Sequence, residues 1–172
     1  FARWKRRGPK NRAYVEAIQE GRAFTTAILW ACCLLSMGNI ALLSAWLPTF
    51  FQEMAGVPIQ RFAILAMIAY FGGLAGTLSI GWMMDRPRPT RLIAVYYLGL
   101  AASLAVLGQV DANTALFLVV LTAWNFFQTG GQAGINAFTT HLYPPRMRST
   151  GLGWAGGAGR IGGVISPLFG GI

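Results

Sequence analysis

The sequence predicts an all-α membrane protein with about five transmembrane helices. Of its 172 residues, 55% are hydrophobic and only 11% are charged, whereas a soluble domain carries about 25% charged residues. The 22 glycines suit helices in a bilayer, because small side chains let helix backbones approach closely. The net charge of +9 is gathered in short segments between apolar runs, which is typical of topology signals. The composition therefore favours a protein embedded in a lipid bilayer and excludes a soluble enzyme or a nucleic-acid-binding protein.

The chain divides into a basic N-terminal segment and an apolar bundle. Residues 1–22 contain seven of the 14 Lys and Arg residues and are predicted to be a cytoplasmic loop. The bundle is predicted at residues 23–172. Its first three apolar stretches, at 23–52, 62–84 and 92–110, are each long enough for a helix of about 20 residues, the length that crosses a bilayer.

The last two predicted spans are more polar than the first three. The fourth lies between Asp111 and Pro145 and carries His141 but no Lys, Arg, Asp or Glu. The fifth begins near Ser149 and contains Arg160. Only 12 residues follow Arg160, so we expect this helix to be incomplete and the sequence to be a fragment of a longer protein.

The positions of the positive charges predict the orientation of the spans. The segments 85–91 and 143–149 hold three and two arginines, on the same side as residues 1–22, whereas the loops on the opposite side hold only Arg61. Because Lys and Arg are enriched in cytoplasmic loops, residues 1–22 and both arginine-bearing loops are predicted to face the cytoplasm. The protein is then a multi-pass protein of the inner membrane.

Glycine pairs spaced by four residues recur in the second, fourth and fifth spans. Such a pair places two small residues on one helix face, one turn apart, and so allows a close helix crossing. The pattern is consistent with plain packing or with helices that rock against each other during transport. The pairs are Gly72 with Gly76, Gly130 with Gly134, Gly153 with Gly157, and Gly159 with Gly163.

Amide side chains form a stripe on the fourth predicted span. Gln128, Gln132 and Asn136 recur every four residues and therefore lie along one helix face. Amides are costly inside a membrane unless they are paired or line a wet cavity, so the stripe indicates either a substrate cavity or hydrogen bonds between helices. We take these three residues, with the ring of Trp46 near the end of the first span, as candidate substrate-binding residues.

Arg160 is a further candidate for substrate binding, because a charge inside the bilayer is rarely accidental. It costs about 2.5 to 3.5 kcal/mol on insertion scales, and a guanidinium can bind a carboxylate through two parallel hydrogen bonds. Its partner is either a substrate carboxylate or an acidic or carbonyl group elsewhere in the protein. A third possibility is an arginine that only extends toward the membrane surface.

The loop between the second and third spans contains a lone carboxylate beside arginines. Asp85 can pair with Arg86 or Arg91, or with the N-terminus of a neighbouring helix, and Gly81 precedes it by one turn. Such a contact would stabilise one conformation, and we call Gly81, Asp85, Arg86 and Arg91 the predicted conformational latch. The alternative is a topology-setting loop with a solvated carboxylate.

This loop resembles the repeated signature of the major facilitator superfamily, in which Gly, three residues, Asp-Arg and further basic residues link the second and third helices of each half. The segment 143–171 and Trp46-Leu47-Pro48 are similar to the aromatic acid:proton symporter family of that superfamily. The shared elements of the segment are Tyr-Pro, an Arg, Thr-Gly, Gly-Trp, Gly-Arg-x-Gly-Gly and Pro-Leu-x-Gly-Gly.

The resemblance implies a major facilitator fold fragment, helices 7 to 11 of 12. It further implies alternating access and uptake of a small aromatic or related organic acid together with protons. An N-terminal half with an acidic pair in its first helix would complete the protein.

The alternatives are a facilitator for sugars or other metabolites, a drug exporter, an intramembrane enzyme and a structural membrane subunit. The chain has one His and two adjacent Cys, which are too few for a metal site, and it has no motif for a catalytic nucleophile or a cofactor. We therefore predict neither an enzyme nor a cofactor.

Overall fold

A computed structural model describes residues 23–53, 56, 58–84, 89–111, 115–143 and 148–169. The predicted cytoplasmic loop at residues 1–22 lies outside this part of the chain. Within it, five α-helices and no strand are present, so the prediction of about five helices is confirmed. They are α1 (Ala23–Glu53), α2 (Ile59–Met83), α3 (Pro89–Leu107), α4 (Ala115–Leu142) and α5 (Arg148–Phe169).

The helices differ in how apolar they are. Helices α1, α2 and α3 are each long and apolar enough to cross a membrane. Helices α4 and α5 have 28 and 22 residues, which is also enough at 1.5 Å per residue, but the amides of α4 and the glycines of α5 make them less apolar. That α4 and α5 cross the bilayer too stays a prediction.

Helix α4 is the centre of the bundle, because it contacts each of the other four helices. Its most extensive partner is α2, and α3 packs against it as well. The other extensive pair is α1 with α5, and these two helices touch α4 only lightly. The described part of the chain is therefore a three-helix group, α2, α3 and α4, joined to a two-helix group, α1 and α5.

Glycines of three of the four pairs lie where helix backbones come together. Gly72 and Gly76 of α2 are buried against α4, and a Cβ atom at Gly72 would lie 2.6 Å from the main-chain oxygen of Thr122. A Cβ atom at Gly76 would meet the main-chain oxygen of Phe126. On α4, a Cβ atom at Gly130 would lie 2.8 Å from the main-chain oxygen of Gly76. On α5, a Cβ atom at Gly159 would lie 3.3 Å from the main-chain oxygen of Cys33 on α1, and one at Gly162, which is outside the predicted pairs, would meet the main-chain oxygen of Leu34. The predicted close crossings are thus confirmed for α2 with α4 and for α1 with α5.

The pair Gly153 and Gly157 behaves differently. A Cβ atom at either position would meet nothing within 4 Å in the described residues. The reason is geometric, since α5 packs through the face that carries Gly151, Ala155 and Gly159, and the pair lies on another side of the helix. Equal spacing therefore led to a crossing in one case and to an open face in the other.

Aromatic rings hold three helix ends together. The ring centroid of Phe51, near the end of α1, lies 4.9 Å from that of Phe62 on α2 and 4.6 Å from that of Phe117 on α4. Leu121 and Trp124 extend the same buried cluster along α4. This packing positions α1, α2 and α4 around the cavity described next.

Candidate functional site

A cavity of about 450 Å³ lies between α1, α2 and α4. This volume falls within the usual range for small-molecule sites. Its walls are mostly apolar and aromatic, with five hydroxyl and amide side chains. The apolar and aromatic residues are Ile40, Leu43, Leu47, Pro48, Phe62, Ala66, Tyr70, Gly73, Leu74, Leu121 and Trp124, and the polar ones are Ser44, Thr77, Asn125, Gln128 and Thr129.

Gln128 is the predicted candidate that lines the cavity. It is 3% exposed, and its Nε2 donates hydrogen bonds to the main-chain oxygen of Ser36 at 3.1 Å and to Ser36 Oγ at 3.0 Å. These bonds join α4 to α1. Both interpretations of the amide stripe, interhelical bonding and cavity lining, therefore apply to the same side chain.

The two other amides of the stripe lie away from the cavity walls. Gln132 is half-buried, and its Oε1 is buried without a hydrogen-bond partner among the described residues. Asn136 is exposed. The stripe thus passes from a buried position at Gln128 to an open position at Asn136, and the predicted substrate roles of Gln132 and Asn136 stay predictions.

Trp46 and Arg160 also lie outside the cavity walls. The indole Nε1 of Trp46 donates to the main-chain oxygen of Pro167 at 3.0 Å, so this ring joins α1 to α5. Arg160 is exposed on α5, beside Gly159, which is buried against α1. The structure therefore does not bring Arg160 and Gln128 into one pocket of the described residues, and the predicted substrate roles of Trp46 and Arg160 stay predictions.

The predicted conformational latch is only partly described. Asp85 and Arg86 lie outside the described residues. Gly81 and Arg91 are both exposed, near the end of α2 and the start of α3. A Cβ atom at Gly81 would meet nothing within 4 Å, so no packing among the described residues requires glycine there.

The cavity contains polar residues that the sequence did not single out. Thr77 and Thr129 carry hydroxyls that bond to the main-chain oxygens of Gly73 and Asn125, one turn earlier. Ser36 is not among the wall residues, but it accepts the hydrogen bonds of Gln128. Asn125 lies one turn before Thr129 and lines the same wall. No pattern in the sequence marks Ser36, because its role comes from contact with Gln128.

The described ranges contain no group of three His, Cys, Asp or Glu side chains that could hold a metal ion. The two cysteines, Cys32 and Cys33, are free thiols inside α1. The cavity walls offer aromatic rings and side chains that form hydrogen bonds.

Comparison with known proteins supplies the family. Residues 2–167 match the sequence profile of the Major Facilitator Superfamily. The chain belongs to this superfamily. The superfamily assignment made from the loop signature and from the glycine-rich segment of α5 is thus confirmed, and the helical fold agrees with it.

Several curated relatives of this superfamily chain are transporters of aromatic acids. A gallate transporter of Pseudomonas putida is 33% identical over 91% of this chain and 34% of its own length. The 4-hydroxybenzoate transporter PcaK of Acinetobacter baylyi is 33% identical over 86% of this chain and 32% of its own length. The 3-(3-hydroxy-phenyl)propionate transporter of Escherichia coli is 33% identical over 87% of this chain and 36% of its own length. The chain therefore spans about a third of the relatives that it matches, and no solved structure matches it.

Proposed function

We propose that this chain is the C-terminal bundle of a proton-coupled transporter that imports an aromatic or related organic acid across a bacterial inner membrane. Its helices correspond to helices 7 to 11 of 12, residues 1–22 form the central cytoplasmic loop, and residues 23–172 form the transmembrane bundle. An N-terminal half of the same protein completes the fold. The named relatives, all transporters of aromatic acids, support this substrate class.

The cavity between α1, α2 and α4 is the observation that carries the proposal. Its volume of about 450 Å³ suits one aromatic ring with its substituents. The rings of Phe62, Tyr70 and Trp124 offer faces and edges against which a ligand ring can stack. The side chains of Asn125, Gln128 and Thr129 make the α4 wall polar.

Alternating access is proposed from the superfamily, whose N-terminal and C-terminal halves move against each other. Within this chain, the α1 and α5 group meets the α2, α3 and α4 group through fewer contacts than join the helices inside each group. Transport in this scheme consists of one bundle rocking against another around a central site. The cavity lies where the two groups meet, since α1 forms one wall and α4 the opposite wall.

Uptake by the full-length protein tests the proposal. We expect purified protein in proteoliposomes to accumulate radiolabelled 4-hydroxybenzoate when the outside is more acidic than the inside, and a protonophore to abolish the accumulation. Empty liposomes are the control. Accumulation that does not respond to the proton gradient would contradict the coupling, and transport of a sugar or a cationic drug in place of aromatic acids would favour the alternatives.

A second prediction concerns the conformational latch. Asp85→Asn removes a charge-assisted contact, which contributes roughly 1.5 to 3 kcal/mol, so we expect uptake to fall by about tenfold or more while expression is maintained. Glu53→Gln, an exposed carboxylate at the end of α1, is the matched control and should keep normal uptake. Wild-type uptake by Asp85→Asn would mean that the carboxylate is merely a solvated loop residue.

A further inference from the structure

Tyr143 joins three helices at one end of the bundle. It lies directly after α4 and is 5% exposed. Its hydroxyl donates a hydrogen bond to Thr26 Oγ1 on α1 at 3.1 Å. Its ring lies against Gly151 on α5, where an added Cβ atom would be 2.6 Å from Tyr143 Cε2. The buried hydrophobic residues of this Tyr143 cluster come from the same three helices and are Leu29, Cys33, Ile135, Tyr143 and Ala155.

The packing of α1 and α5 onto α4 depends on a few contacts of this kind. Both helices touch α4 only lightly, so their orientation is set by the side chains at the contact points. Near the middle of the helices, Gln128 joins α4 to α1 through Ser36. At one end, the ring of Phe51 joins α1 to α2 and α4. Tyr143 provides the corresponding contact at the opposite end, where α1 begins and α4 ends.

The distance between these contacts makes the Tyr143 bond sensitive to the tilt of α1. Thr26 lies ten residues before Ser36, which is about 15 Å along the helix. A tilt of about 10° around the Ser36 contact would therefore move Thr26 by about 2.6 Å. This displacement breaks the bond, because two oxygens more than about 3.5 Å apart no longer share a hydrogen bond. The Tyr143 bond is thus present only when the start of α1 is packed against α4.

We infer that Tyr143 is a positioning residue, which holds the starts of α1 and α5 against α4 so that this bundle moves as one body during transport. The inference rests on the proposed function, in which this end of the bundle faces the cytoplasm and the two halves of the protein rock against each other. If α1 and α5 lagged behind α4, less of that motion would be transmitted. Tyr143 is not one of the described residues that line the cavity, so it acts on transport through α1 and α5.

Two matched pairs of variants separate this role from a general effect on stability. Tyr143→Phe removes a hydrogen bond between the two helix groups. Tyr96→Phe, at a second buried tyrosine, removes the 2.7 Å bond between the hydroxyls of Tyr96 and Ser79, which joins α3 to α2 inside one group. Gly151→Ala would displace the Tyr143 ring, whereas the new Cβ atom of Gly153→Ala, on the same helix, would meet nothing within 4 Å among the described residues.

The thiol of Cys33 reports whether α1 separates from α4. Cys33 is a free cysteine, is 2% exposed and belongs to the Tyr143 cluster, so N-ethylmaleimide reaches it only when this end of the bundle opens. In full-length protein whose other cysteines are replaced, we expect Tyr143→Phe to raise the labelling rate about fivefold, through the loss of one buried hydrogen bond. We expect a rise of about tenfold or more for Gly151→Ala. Both controls should be labelled at the wild-type rate.

Binding and uptake of radiolabelled 4-hydroxybenzoate show whether the position of α1 matters for transport. We expect Tyr143→Phe and Gly151→Ala to bind the acid with an affinity within about threefold of the wild type but to take it up about fivefold or more slowly. Tyr96→Phe and Gly153→Ala should keep wild-type uptake. Thermal unfolding identifies variants that fail to fold, and Thr26→Val, which removes the same hydrogen bond from the α1 side, keeps the test decisive if Tyr143→Phe does.

The possible results separate this inference from the proposed function. If the wild-type protein neither binds nor transports an aromatic acid, the proposed function is wrong, and the transport role of Tyr143 falls with it. If transport is normal but Tyr143→Phe leaves Cys33 labelling or uptake unchanged, or if Tyr96→Phe changes both by the same factors, only the positioning role is overturned. Faster labelling and slower uptake in Tyr143→Phe and Gly151→Ala, with both controls at wild-type values, support it.

Discussion

Gly76→Ala is expected to destabilise the bundle strongly, although it adds only one methyl group. The new Cβ atom would meet the main-chain oxygen of Phe126 on α4, and a main-chain atom cannot move unless the helix moves. Overpacking of a well-packed interface typically costs about 1 to 3 kcal/mol. We expect a clearly lower midpoint of thermal unfolding in detergent, and a larger effect for Gly76→Leu.

A matched glycine shows whether this effect comes from the crossing. Gly108 lies just after α3 and is exposed, with its nearest neighbour 3.9 Å from an added Cβ atom. Gly108→Ala should leave the unfolding midpoint nearly unchanged. Gly162→Ala, which would meet the main-chain oxygen of Leu34 on α1, should resemble Gly76→Ala. If Gly76→Ala unfolds at the wild-type temperature, the close crossing of α2 and α4 does not exist in the membrane protein.

Arg160→Ala is expected to abolish uptake by the full-length protein. Arg160 is exposed on α5, and no Lys or Arg of the described residues lines the cavity between α1, α2 and α4. If the ligand carboxylate binds outside that cavity, Arg160 is a candidate partner for it. Arg160→Lys keeps the charge but loses the planar bidentate fork, so it should retain partial transport with weaker apparent affinity. Arg61→Ala, at an exposed arginine near the start of α2, is the control.

Binding and uptake together distinguish the possible partners of Arg160. Loss of acid binding by folded Arg160→Ala supports a contact with the substrate carboxylate. Normal binding with lost uptake indicates a contact between the two halves, because the ligand site would be intact while the conformational change fails. Normal binding and normal uptake would mean that the side chain only extends toward the membrane surface.

The sequence by itself determined the number of helices, their approximate bounds and the family. Long apolar runs separated by short charged loops determine the number and the bounds of the helices, because bilayer thickness sets the helix length. The signature around Gly81 and the segment from Tyr143 determine the family. These features are local in the chain, so they can be read without any contact between distant residues.

Only the tertiary structure decided which polar residues share a site. The amide period predicted one stripe, yet Gln128 alone among its three members lines the cavity, and its orientation depends on Ser36, 92 residues away. Equally spaced glycines predicted equal crossings, yet Gly76 is packed against α4 while Gly153 is open. A helical period tells which residues lie on one face, but which neighbour covers that face depends on packing between segments far apart in the sequence.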